Sequence, residues 1–173
     1  MLLSTLSQEE FGALSSLIAV RGILIFENQQ DFDISALSCL VSQLDPSHDL
    51  TSTKIDEEHQ SPSQVVFFQA QDEWHTDTSC ETSPPSISLL RIEGESDNLG
   101  KTAFVSQYGV YDSLSKPLQR FVDDLTAVHS SGQQSVEHPA VRTHPVSGLK
   151  ALNVSPGTVT GFPGLNGKES GML

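Results

Sequence analysis

Cationic side chains are scarce in this sequence. Nine Lys and Arg stand against 22 Asp and Glu, giving a formal net charge of −13 at pH 7. Such a surface repels phosphate backbones and anionic bilayers, so neither nucleic acid nor a membrane surface is an expected partner. An acidic surface also keeps a protein dispersed without naming any ligand. Cysteine is equally sparse: Cys39 and Cys80 have no CxxC spacing and are too few for a disulfide framework, which makes the cytoplasm the expected compartment. No apolar run approaches the ~20 residues of a membrane helix. The start, Met1-Leu2-Leu3-Ser4, lacks the basic and long apolar regions of a secretion signal, so no targeting segment is expected.

What the sequence does contain fits a folded chain. Its 173 residues suffice for one core, and 36% hydrophobic with 18% charged residues suits a globular domain with polar loops. A single domain over residues 1–173 is expected. Ser7-Gln8-Glu9-Glu10 has the form of a capping box, and Phe11, Leu14, Leu17 and Ile18 recur on one helical face, which predicts a helix from Ser7 to Val20. Gly22 is placed to end it. Ile23-Leu24-Ile25-Phe26, Val65-Val66-Phe67-Phe68, Ile87–Ile92 and Thr102-Ala103-Phe104-Val105 read as short strands, and Ile34–Leu44 as a weakly amphipathic stretch.

Between Ser106 and Leu125 the pattern is helical, broken at Ser115-Lys116-Pro117, where Ser caps and Pro fits the first turn of a second helix. Thr126–His129, Val141–His144 and Lys150–Val154 are predicted strands, the last two joined by the hairpin-type turn Pro145-Val146-Ser147-Gly148. Several strands and few helices, without one-for-one alternation, favour an α+β or jelly-roll architecture over a doubly wound parallel sheet.

Chemistry concentrates at Trp74-His75-Thr76-Asp77. On an extended segment His75 and Asp77 project to one side and can grip one metal ion. With a second imidazole they would form the two-His, one-carboxylate facial triad, which leaves coordination positions open for a chelating co-substrate and dioxygen. His-x-Asp alone is weak evidence, since a surface His beside a solvated Asp has the same appearance. Trp74 reads as packing beside the site, Cys80 as a small core residue, and Tyr108 and Tyr111 as core side chains whose hydroxyls reach out.

A longer ordered run carries more weight. Trp74–Thr78, Ser83-Pro84-Pro85, Gly100–Val105, Tyr111–Ser115, Leu125–Ser130, His138–Gly148 and Lys150–Leu152 together resemble the TauD/TfdA taurine dioxygenases, and the Leu6–Phe26 helix and strand resemble that family's opening unit. The resemblance implies an incomplete double-stranded β-helix (jelly roll) with flanking helices. It implies Fe(II) held by His75 and Asp77, and a Thr102 hydroxyl on the distal carboxylate of 2-oxoglutarate. It further implies hydroxylation of a small-molecule substrate with succinate and carbon dioxide as co-products.

The family pattern also includes a distal histidine ligand and an arginine for 2-oxoglutarate, and neither has a matching position in these 173 residues. His129, with Arg142 after it, is the internal candidate for a third ligand, although by the closer match it falls outside the ligand positions; His138 and His144 are weaker candidates. Two readings therefore stand: an oxygenase completed by a third ligand or a second chain, and a catalytically degenerate homologue with a binding role. In either, exposed strand edges favour a homo-oligomer that covers them.

Overall fold

A computed structural model describes residues 3–29, 40, 43, 74–89, 102–132 and 134–173. A 3-10 turn, Leu3–Thr5, leads into helix α1, Gln8–Arg21. The capping box forms as the sequence predicts: the Glu10 amide donates to Ser7 Oγ at 3.3 Å, and the Ser7 amide donates to Glu10 Oε2 at 2.9 Å. Gly22 closes the helix in the left-handed region (φ 76°), its amide donating to the Ile18 carbonyl at 2.8 Å. A Cβ at Gly22 would meet no atom within 4 Å, so Gly22→Ala isolates the backbone cost. A loss of about 1 kcal/mol is expected from urea denaturation, and a smaller one for Gly22→Asn.

Leu14 of α1 packs with Leu3 and Leu40, and Leu6, Phe11, Leu24, Phe26 and Leu89 close around them. The predicted strand at residues 23–26 is corrected here. Leu24 and Phe26 turn inward while Ile23 and Ile25 face out, yet the segment joins no ladder among the described residues. Alternating burial packs one face of the chain without supplying a partner for its backbone. Residues 102–105 likewise form no strand, with Phe104 and Val105 exposed. Residues 87–89 have no strand assignment, and the remainder of that predicted strand, the one at 65–68 and most of 34–44 lie outside the described residues.

Helices α2 (Gln107–Ser113) and α3 (Lys116–Asp123) break where the sequence says they should. Ser115 caps α3, accepting from the Leu118 amide, and Pro117 sits in its first turn. Tyr108 Oη donates to the Ala19 carbonyl at 3.2 Å and ties α2 to α1. The buried Gln119 amide donates to the Tyr111 carbonyl at 2.9 Å and ties α3 to α2. Tyr111 Oη and Lys150 Nζ each donate to one Asp123 carboxylate oxygen, both at 2.8 Å.

This triad has a pH signature. The Lys150 hydrogen bond, and then that of Tyr111, holds the Asp123 carboxyl below the usual range. Burial, followed by the bond to Asp123, pushes the Tyr111 phenol up. As pH falls, the unfolded chain takes up the Asp123 proton before the folded one does. The stabilisation is therefore complete above about pH 4 and is lost as pH falls through the lowered folded value. Urea midpoints measured down that acid limb should fall less steeply in Lys150→Met than in the unaltered protein.

Five strands follow. β1 (Thr126–Ser130) is central in an antiparallel sheet of order β2-β1-β5, with β2 at Ser135–Pro139 and β5 at Val159–Gly161. β3 (Val141–Thr143) and β4 (Lys150–Leu152) form the predicted hairpin, with Gly148 at φ 70° in its turn. His144 Nδ1 accepts from the Val146 and Ser147 amides inside that turn. Ala140 links the two sheets: its amide donates to the Leu125 carbonyl at 2.9 Å, and its own carbonyl accepts from the Asn153 amide at 2.7 Å. The core beneath is Ala127, Ala140 and Phe162, with Leu125, Val154, Val159 and Leu165 against it. A short helix α4, Gly167–Ser170, is capped by Asn166. The result is a mixed helix and sheet fold, and none of its described helices is long and apolar enough to cross a membrane.

Candidate metal centre

His75 and Asp77 do converge: His75 Nε2 lies 3.2 Å from Asp77 Oδ1, with 47% and 72% of the two side chains exposed. No strand carries them; residues 77–80 form turns, and Thr78 adopts a left-handed backbone at φ 54°. The Ser79 amide donates to the Thr76 carbonyl at 3.4 Å and the Glu81 amide to the Thr78 carbonyl at 2.9 Å. Asp77 thus stands at the start of a turn, with His75 just before it.

Contacts to distant described residues fasten this segment to the rest of the molecule. The Gly157 amide donates to the Trp74 carbonyl at 3.1 Å. Gln107 Nε2 donates to Thr76 Oγ1 at 3.4 Å. The His138 Nε2 of β2 lies 2.9 Å from the Glu81 carbonyl oxygen.

The pair opens on a cleft of about 430 Å³, whose wall includes Cys80, Ser130, Ser131, Gly157 and Thr158. The end of β1 and the loop before β5 thus face the His75–Asp77 pair. Cys80 is a free, half-buried thiol on this wall and not the core residue expected of it. Trp74, read as packing, is 52% exposed. Thr102 is exposed and is not among the residues that line the cleft.

His129 is placed elsewhere. Only 1% exposed, it turns toward the core face of β1, and neither ring nitrogen has a hydrogen-bond partner. Its ring meets that of His138 edge-on, centroids 5.3 Å apart. Burial, and then repulsion from His138, lowers its pKa, and the Asn153 backbone opposes the shift. Among the described residues no three His, Cys, Asp or Glu side chains converge. His129 therefore does not complete the site, and neither does His138 or His144.

Imidazole nitrogen and carboxylate oxygen are the donors that suit non-haem iron. Bound at about 2.1 Å to adjacent corners of one divalent ion, they would lie about 3.0 Å apart. The observed 3.2 Å is already close to that spacing, so the pair fits as two neighbouring ligands of a single ion.

Comparison with known proteins gives the chain relatives. The sequence model of the family described as taurine catabolism dioxygenase TauD, TfdA matches residues 2–173. A candidate alpha-ketoglutarate-dependent sulfonate dioxygenase of Schizosaccharomyces pombe is 31% identical, over 97% of this chain and 50% of the relative. The alpha-ketoglutarate-dependent sulfonate dioxygenase of Saccharomyces cerevisiae is 28% identical, over 88% and 45%. The chain thus spans about half the length of the curated relatives it matches. A solved Burkholderia xenovorans structure, of a candidate alpha-ketoglutarate dependent 2,4-D dioxygenase, aligns with 98% of this chain and 69% of its own at TM-score 0.68. At 21% identity that likeness speaks for the fold alone.

Proposed function

Because the chain belongs to the taurine catabolism dioxygenase TauD, TfdA family, we propose that it serves Fe(II)- and 2-oxoglutarate-dependent hydroxylation of a small organic molecule. In this reading residues 1–173 form part of one jelly-roll dioxygenase domain. The observation that carries the proposal is the approach of His75 Nε2 and Asp77 Oδ1 at the mouth of a cleft large enough for a small substrate.

His75 and Asp77 would hold the iron from one side, the imidazole as a neutral donor and the carboxylate offsetting part of the metal charge. Bound iron supplies the redox chemistry that couples oxygen and 2-oxoglutarate to hydroxylation, releasing succinate and carbon dioxide. Thr102 would donate its hydroxyl to the distal carboxylate of 2-oxoglutarate. The net charge of −13 also suits a small-molecule partner better than a nucleic acid. Relatives named for sulfonates and sulfate esters make a small organosulfonate the first substrate to try.

Anaerobic addition of Fe(II) and 2-oxoglutarate is expected to produce a weak visible charge-transfer band, and oxygen should then yield succinate. Folded protein that gives neither would overturn the oxygenase reading in favour of a binding role without turnover.

A further inference from the structure

We propose that His138 is a positioning residue for the candidate metal pair, its buried imidazole holding the Glu81 carbonyl and thereby the turn that carries Asp77; the role rests on the metal-binding reading of His75 and Asp77.

A carbonyl oxygen only accepts, so the 2.9 Å contact requires the proton on His138 Nε2. The ring is well placed to keep it there. His138 is buried, pairs with Ala127 across the β1–β2 ladder, and is braced edge-on by the His129 ring. An imidazole fixed on three sides presents its N–H in one direction, which is how a side chain transmits the rigidity of a sheet to a loop. His138 neither touches the metal pair nor lines the cleft, so its effect must pass through the Glu81 carbonyl.

The segment needs such an anchor. Its other end is held by the Gly157 amide on the Trp74 carbonyl, on the far side of the pair. Between the two anchors lie His75, Asp77 and the left-handed Thr78. A further tie, Gln107 to Thr76, is long at 3.4 Å and exposed. Releasing Glu81 would loosen the turn that begins at Asp77, and two ligands that must meet one ion tolerate little wandering.

His138→Phe removes the donor while keeping a ring of similar bulk, and His138→Gln restores an N–H at comparable reach. Two readouts are compared: hydrogen exchange at the Ser79 and Glu81 amides relative to β1, and Fe(II) affinity titrated anaerobically with 2-oxoglutarate. In His138→Phe, exchange at both amides should speed up about tenfold with β1 unchanged, and affinity should fall about 10- to 100-fold; His138→Gln should recover most of both. Unchanged exchange, or unchanged affinity in folded His138→Phe, overturns the proposal. Should the Phe variant fail to fold, Gln against the shorter Asn decides: rescue by Gln alone supports the anchor, and equal behaviour overturns it. Unaltered protein that binds no Fe(II), with exchange still faster in His138→Phe, overturns the dioxygenase reading while the anchor itself stands.

Discussion

His75→Ala is expected to abolish the charge-transfer band and all succinate formation, with Fe(II) affinity reduced by more than about 100-fold. The size of the effect follows from the donor count. Among the described residues no third His, Cys, Asp or Glu converges on the pair, so this variant removes half of the ligands they supply. His75 is half exposed, so its loss should leave the unfolding midpoint nearly unchanged, and that separates a lost ligand from a lost fold. Asp77→Asn makes the complementary change, keeping shape while removing charge. Succinate production that survives His75→Ala would place the chemistry on other residues.

Phe162→Ala is expected to cost about 3–5 kcal/mol, the largest stability loss among the core positions. Phe162 fills the space beside Ala127 and Ala140, both completely buried. Two methyl side chains cannot expand into the vacated volume, and the surrounding Leu125, Val154, Val159 and Leu165 are held by β1, β5 and their flanking turns. The cavity would therefore persist, and the cost belongs at the upper end of such substitutions. Phe162→Leu, which leaves a smaller void, should cost markedly less. Urea midpoints with an unchanged m-value would check both. Because Ser130 and Ser131 at the end of β1 line the cleft, the same variant should also weaken ligand binding, though less than His75→Ala.

The parts of this fold legible in the sequence are those specified locally. Ser7 and Glu10 form their capping box within one turn, Ser115 and Pro117 restart a helix, and Gly148 supplies the left-handed turn of the β3–β4 hairpin. What escaped depends on distant partners. β2 has only Val136 as an apolar strand signal, and β5 is three residues ending in Gly161, so neither announces itself; both exist because β1 lies between them. Conversely, residues 23–26 and 102–105 have strand composition but no ladder among the described residues.

The site divides the same way. His75 and Asp77 stand out in the sequence through the long ordered resemblance more than through their spacing, and the turn that begins at Asp77 has no signal there. The His138 contact to Glu81 spans 57 residues, and nothing local to either position could have revealed it. Thr102 was placed by resemblance, and its position apart from the cleft wall leaves its role to be tested with 2-oxoglutarate itself.

Thr78, directly after Asp77, takes a backbone angle that costs a β-branched residue about 1–2 kcal/mol. A chain bent against its preference behaves as a loaded spring, and a spring keeps its shape only while both ends are clamped. Because the Thr78 φ torsion lies after both His75 and Asp77, its relaxation on release of either clamp would swing the pair as one body relative to the Glu81 anchor. The torsion at Thr78 therefore bears on where the pair is aimed and leaves the spacing between His75 and Asp77 alone.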